Sequence, residues 1–229
     1  MKFDYYLFDM DYCLVRYPDP EIIHVTDDIM VMVLKNLLEE IPDKEERDSF
    51  WKARPNFNIK LEKWGVENAE VFWKAYHYND FVHRTNLVKS GQIRLYHDVK
   101  AVLINLQERD KIMGLVSNSP KLVVESFAKE LGLSKLFQEI YGIDYDNEPD
   151  KAKPSPEGIN EVLNKMGFNP LYSRAIMIGD SFNDILAAKR AKINACLIKR
   201  DPNKYSEGCD GWEYQPDFII DQLIEILSI

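Results

Sequence analysis

The chain has 229 residues, of which 45% are hydrophobic and 29% charged, and a formal net charge of −9. That length suits one large domain or a domain carrying a smaller insert, and the balance is that of a globular chain. The negative charge argues against nucleic acid as the main partner, since phosphate backbones need a surplus of Lys and Arg, yet a small phosphorylated ligand needs only two or three local donors. No apolar run reaches the ~18 residues of a membrane span. The opening MKFDYYLFDMD carries acids inside its apolar stretch, unlike a secretion signal. Cys13, Cys196 and Cys209 lack CxxC spacing and cannot form a closed set of bridges, which points to a reduced, cytoplasmic protein.

Residues 3–10 (FDYYLFDM) make an aromatic, apolar run of strand length, too short for a helix. From 15 to 91 no strand pattern is evident. Thr26 or Asp27 suits the cap of a helix over 28–40, 44–53 is mostly charged, 68–83 is dense in aromatics, and Pro18, Pro20, Pro42 and Pro55 punctuate the segment. An all-helical block there reads as an inserted domain, leaving an α/β core of 1–14 and 92–229 and a helical domain of 15–91. After it, Val99, Val102, Leu103 and Leu106 give helical period to 98–109. Apolar runs at 112–117, 139–143, 175–179, 194–198 and 217–220 then alternate with helical stretches at 120–131, 156–166 and 182–191. Pro120 suits a first helical position, and Gly132 and Gly167 suit helix stops. Strands alternating with helices predict parallel βαβ units, and so a doubly wound, Rossmann-like parallel sheet.

Three clusters lie at predicted strand ends and a fourth on a loop that two prolines fix. Asp9 and Asp11, two residues apart on an extended segment, project the same way and repel; a cation or a shared proton relieves this, unless they are simple turn residues. Gly179-Asp180-Ser181-Phe182-Asn183-Asp184 ends another apolar run, where Asp180 and Asp184 suit either a helix cap or, with Asp9 and Asp11, oxygen ligands for Mg2+. Ser117-Asn118-Ser119-Pro120 brings hydroxyl and amide groups to a helix N-terminus, as an anion site or a plain cap. Lys153, in Lys151-Ala152-Lys153-Pro154-Ser155-Pro156, is either a positioned cation or a surface lysine.

The order Asp-x-Asp, Ser-Asn, Lys-Pro-x-Pro, Gly-Asp-Ser-x-x-Asp resembles the haloacid dehalogenase-like hydrolase superfamily, over residues 3–14 and 92–222. The helical block is similar to that family's small α-helical cap. The resemblance implies that Asp9 is the nucleophile forming an aspartyl phosphate, and Asp11 the general acid and then the general base. It implies a Mg2+ site from the Asp9 carboxylate, the Asp11 backbone carbonyl, Asp180 and Asp184, and phosphoryl binding by Ser117, Asn118 and Lys153. Lys153 is expected to pair with Asp9 or Asp180. An acid at position 11 favours phosphoryl transfer over dehalogenation.

The sequence departs from the phosphatase pattern just after Asp11. Tyr12 stands where a small or left-handed-tolerant residue is usual, which implies a different backbone or a filled space there. Cys13 stands where a Thr hydroxyl would orient Asp11, and reads as a packed residue. Arg16, Tyr17 and Arg54, with Lys60 and Arg84, are candidate substrate contacts or surface residues. Phe72, Trp73, Tyr76, Tyr78 and Phe81 line a pocket or fill the helical core. The function expected is a Mg2+-dependent phosphatase for a small phosphorylated metabolite. A phosphomutase of the same fold and a weakly active binding or regulatory member are the alternatives. Oligomeric state and substrate are not legible.

Overall fold

The computed structural model describes residues 2–17, 22–50, 56–144, 151–201, 204–205, 208–209 and 211–229, with backbone alone for 22–25. At its centre is β1 (Tyr5–Phe8), whose residues are all buried. Such a strand has no polar face because it is covered on both sides, which is why it reads as a continuous apolar run. Alternate side chains serve opposite layers: Tyr5 and Leu7 join one buried cluster with Ile159, Val162 and Ile185. Phe8 meets Phe137 edge-on with ring centroids 6.1 Å apart.

Flanking β1 are β4 (Ile112–Pro120) and β6 (Ala175–Gly179), both parallel to it, with Leu7 opposite Gly114 on one side and Met177 on the other. Outward from these lie β5 (Glu139–Ile143) and, on the other side, β7 (Asn194–Ile198) and β8 (Phe218–Ile220). The six-stranded parallel sheet has the order β5-β4-β1-β6-β7-β8. Helices α5 (Val99–Glu108), α6 (Lys121–Glu130), α7 (Glu157–Lys165) and α8 (Phe182–Arg190) connect these strands, and a 3-10 helix over Leu223–Ser228 follows β8. One close approach requires glycine: a Cβ on Gly114 of β4 would stand 2.6 Å from Val162 Cγ1 of α7. The chain thus forms the doubly wound α/β sheet that the sequence predicts, with ligand sites expected at the carboxyl ends of β1, β4 and β6.

Two departures are local. The expected absence of strand structure after residue 15 is corrected by β2 (Val15–Arg16), which pairs antiparallel with β3 (Arg94–Leu95). Two residues are too few to show a period, so the sequence gives no sign of them. The predicted strand over 112–117 runs on to Pro120, its register with β5 shifting between Val116 and Pro120.

The chain divides into two compact units, residues 1–17 with 88–229 and residues 18–87. The second contains α1 (Ile22–Lys35), α2 (Lys44–Phe50), α3 (Phe57–Lys63) and most of α4 (Ala69–Lys89). Its core gathers Met30, Leu34, Phe50, Leu61, Phe72 and Tyr76, with Trp73 packed against it. Phe50 stacks on both Phe57 and Trp64. Most of the α4 aromatics are therefore core, whereas Tyr78 is exposed. The charged α2 is not wholly a solvated face: Arg47 grips Asp27 through two bonds of 2.7 and 2.9 Å, both side chains largely covered.

Candidate active site

Asp9 leaves the end of β1 with its N–H bonded to the Ile178 carbonyl, so strand pairing fixes its backbone. Its carboxylate is buried and accepts from Lys153 Nζ at 2.6 Å. The same ammonium donates to Asp184 Oδ1 at 2.5 Å and to the Val116 carbonyl at 2.9 Å. All three N–H donors of Lys153 are thus used, and the side chain is only 4% exposed. Burial alone would lower the Lys153 pKa, but Asp184 and Asp9 outweigh it and hold it above the ordinary lysine value. Lys153 is therefore a fixed cation with no capacity to accept a proton.

Asn118 sets where that cation stands. Its side-chain oxygen accepts the Lys153 N–H at 2.7 Å and its amide donates to the Lys153 carbonyl at 2.9 Å. Asn118, expected to assist in phosphoryl binding, here ties down the lysine's backbone through both ends of its amide.

Asp184 is the third residue of α8 and closes a capping box with Ser181, accepting its N–H at 3.0 Å and its hydroxyl at 2.5 Å. The cap reading of this motif is seen directly, and the same carboxylate reaches into the cluster: Oδ2 caps the helix and Oδ1 meets Lys153. Gly179 makes room for it, because a Cβ there would lie 2.3 Å from Asp184 Cγ. Of the two partners expected for Lys153 the structure shows Asp9 and adds Asp184, while Asp180 forms its ion pair with Lys204. Lys204 sits in irregular chain beyond β7 at no motif spacing, so nothing in the sequence marks it. Tyr205 adds a 3.0 Å bond from its hydroxyl to the Asp180 carbonyl.

Asp9, Asp180 and Asp184 each offer an oxygen within 4.8 Å of the others, all buried. Burial raises the pKa of Asp9 above the usual carboxylate range, and the neighbouring carboxylates add to this against the pull of Lys153. Asp180 is raised too, by burial and then by Asp184, against the pull of Lys204. Three hard oxygen donors in a pocket that resists its own negative charge fit a small divalent cation such as Mg2+.

Asp11 turns away from this cluster. After Met10 the chain doubles back: Leu14 and Val15 N–H both bond to the Met10 carbonyl, and Tyr12 N–H to Val15 O. Tyr12 takes a left-handed φ of 60°, so the usual turn is kept despite its side chain and the backbone is not a different one. Its ring packs on Tyr17 with centroids 4.9 Å apart. The Asp11 carboxylate accepts from the Tyr17 hydroxyl, from Ser119 Oγ at 2.5 Å and from Ser117 Oγ at 3.4 Å. Each hydroxyl can donate to a carboxylate or accept from a carboxylic acid, which Lys153 cannot do for Asp9. The Asp11 side chain is accordingly no member of the metal cluster; only its backbone carbonyl remains for that role. Ser117, buried at the end of β4, also accepts the Ser119 N–H at 3.0 Å.

Cys13 is fully buried with its thiol 3.6 Å from the Ile178 carbonyl, and burial followed by the Asp9 charge pushes its pKa up. It is an inert packed thiol. Its own carbonyl accepts from Arg200 Nε at 3.1 Å, while the Arg200 guanidinium clasps Asp98 through two 2.9 Å bonds. That pair braces the turn below the site. Tyr17, read as a substrate contact, is turned to Asp11. Arg16 is exposed on β2 opposite Arg94, and Arg54 lies outside the described residues. Lys60 bonds to Ser49 and pairs with Glu46, and Arg84 pairs with Asp80 at 3.7 Å, both within the helical unit. Sequence reasoning missed Ser119 and Lys204; Ser119 at least lay inside a motif already singled out.

A model of the haloacid dehalogenase-like hydrolase family matches residues 3–192. The chain is 27% identical to the pyrophosphatase PpaX of Listeria welshimeri over 232 residues, 97% of this chain and 94% of that one. It is 32% identical to the phosphoglycolate phosphatase of Vibrio vulnificus over 152 residues, 66% of this chain and 62% of that one. Among solved structures, CbbY from Rhodobacter sphaeroides in complex with phosphate superposes with a TM-score of 0.68 at 17% identity, covering 98% of this chain and 96% of that one. A HAD phosphatase from Thermococcus onnurineus gives 0.64 at 20% identity, over 100% and 97%. At such identities the structural likeness establishes a shared fold.

Proposed function

The chain belongs to the haloacid dehalogenase-like hydrolase family, and from that premise we propose that it is a Mg2+-dependent phosphatase acting on a small phosphorylated metabolite through an aspartyl phosphate. Phosphatase activity is what the names of its relatives have in common, one of them matched over 97% of this chain. The observation that carries the finer reading is Lys153, a buried ammonium bound to Asp9 and Asp184 beside a third carboxylate. A carboxylate whose partner cannot take its proton suits a nucleophile that must stay anionic.

In this reading Asp9 attacks phosphorus, and the bond to the leaving oxygen breaks. Asp11 gives its proton to that oxygen, then takes one from the water that releases phosphate from Asp9. Lys153 supplies positive charge beside the phosphoryl group and the Ser117 hydroxyl holds one of its oxygens, with Asn118 keeping Lys153 in place. Asp9, Asp180, Asp184 and the Asp11 carbonyl would hold Mg2+, which supplies neutralisation of the charge between the anionic nucleophile and the anionic substrate. The helical unit, which no motif covers, is assigned the role of cap and selector of the leaving group. Three free, buried cysteines support a reducing, cytoplasmic setting. Among the described residues no helix is long and apolar enough to cross a membrane.

The test is a phosphate-release screen with Mg2+ over sugar phosphates, nucleoside monophosphates, phosphoglycolate and pyrophosphate. Release by the parent and not by Asp9→Asn is expected. Equal release by both sinks the nucleophile, and an isomerised sugar phosphate without free phosphate turns the assignment to a mutase.

A further inference from the structure

The two aspartates of the first motif are held in different ways, and only one holder was foreseen. Asp9 is fixed by an ammonium and by strand pairing. Asp11 stands immediately before the turn at Tyr12, where its backbone makes an isolated bridge to Val15. A carboxyl on so short a loop rotates about two side-chain torsions unless something grips both oxygens. Here something does. Tyr17 reaches Oδ1, and Ser119 Oγ reaches Oδ2 at 2.5 Å from the end of β4. The Cys13 thiol is directed instead to the Ile178 carbonyl. Ser117 is only weakly engaged, at 3.4 Å, so its hydroxyl remains available to a phosphoryl oxygen.

We propose that Tyr17, assisted by Ser119, is a positioning residue for Asp11: the two hydroxyls grip opposite oxygens and aim the carboxyl at the leaving oxygen. The inference rests on the phosphatase reading for what Asp11 does, and on geometry alone for how it is held. Two features make the phenol suitable. Its ring is packed on Tyr12, whose left-handed backbone places it there, so the hydroxyl is presented by a rigid plane. Tyr17 also follows directly on β2, whose pairing with Arg94–Leu95 fixes the start of that plane. The grip therefore assembles from three places: the turn after β1, the small antiparallel pair, and the end of β4.

A misaimed acid harms substrates in proportion to their need for one. An alkyl phosphate leaves as a strongly basic alkoxide and requires the proton, whereas a nitrophenyl phosphate leaves as a stable phenolate. Tyr17→Phe keeps the ring on Tyr12 and deletes only the hydroxyl. In single-turnover formation of the aspartyl phosphate it is expected to lower the rate for alkyl phosphates by roughly 10–100-fold, part of the full worth of a general acid, with little change for nitrophenyl phosphate. The later hydrolysis step is expected to slow alike for both. Ser119→Ala is expected to show the same split more weakly, and the double variant to approach Asp11→Asn. An equal loss on both substrate classes in that first step, or no loss from either variant, overturns the proposal. A crystal structure of Tyr17→Phe supplies a readout that needs no activity, with the Asp11 carboxyl expected to leave its present orientation. If the parent releases phosphate from neither class, it is the phosphatase reading that fails, and this structure alone judges the grip. An unmoved Asp11 there ends it.

Discussion

Both units bury an apolar core, but the α/β unit buries a cluster of charged and hydroxyl groups beside it and the helical unit, in its described residues, does not. Among the described residues the first buries Asp9, Asp98, Ser117, Ser119, Lys153, Asp180 and Asp184, whereas the second buries Asp80 and Thr85 and otherwise fills its core with aliphatic and aromatic groups. Burying charge is costly even when it is paired, and apolar groups of the same volume stabilise a core at least as well. Concentrating carboxylates at two strand ends, those of β1 and β6, fits the proposed chemistry better than it fits packing. The helical unit carries no such cluster, and its residues answer to packing. The lesson is that damage to the two units should be read on different scales, activity for one and stability for the other.

The largest expected effect tests the first half of that contrast. Asp9→Asn should lower phosphate release by roughly 10³-fold or more, as loss of a nucleophile does. In metal-free buffer its Tm should be no lower than the parent's, because the charged form is the one burial disfavours. A substantial fall in Tm would mean that the carboxylate serves the fold. Phe50→Ala tests the other half. Phe50 is fully buried and touches four aromatic rings, so urea unfolding should show a loss of about 3–5 kcal/mol. Mg2+ binding by the variant, measured by calorimetry below its melting temperature, should persist.

The third prediction sharpens the contrast within the α/β unit. Burial alone would raise Asp98, but the Arg200 guanidinium and the Leu223 N–H outweigh it and hold its carboxyl below the ordinary 3.8. Its pairing therefore stabilises the fold in full above pH 3.8 and is lost as the pH falls through the depressed value. Asp9 and Asp180 are raised, so the sign reverses: the metal-free fold loses stability as the pH rises through their folded values. Thermal melts across pH should show the brace failing in acid, and Asp98→Asn should abolish that limb. Mg2+ should flatten the other. The smallest effect belongs to Lys204, which is 41% exposed. Removing its charge by Lys204→Met leaves Asp180 without a competing cation, and the apparent Kd for Mg2+ should tighten by only a few-fold, on the scale of a half-exposed pair. A weaker Mg2+ site would mean that Lys204 supports the metal instead of competing with it.

The amino-acid sequence determined the parallel sheet, the helical block, the strand ends that carry Asp9, Asp11, Ser117, Asp180 and Asp184, and the proline-bounded loop that carries Lys153. It could do so because a strand covered on both faces must be apolar throughout, and because each chemical role admits few residue types at few spacings. Tertiary structure alone decided who holds whom. Lys153 went to Asp184 and left Asp180 to Lys204. Asn118 went to the lysine's backbone, and Tyr17 and Ser119 took the Asp11 carboxyl. The two-residue pair of β2 and β3 was equally silent, being too short to carry a period. These choices are made between groups as far as 108 residues apart in the chain. A donor's identity fixes what it can bind, but only the folded path fixes which acceptor comes within 3 Å of it.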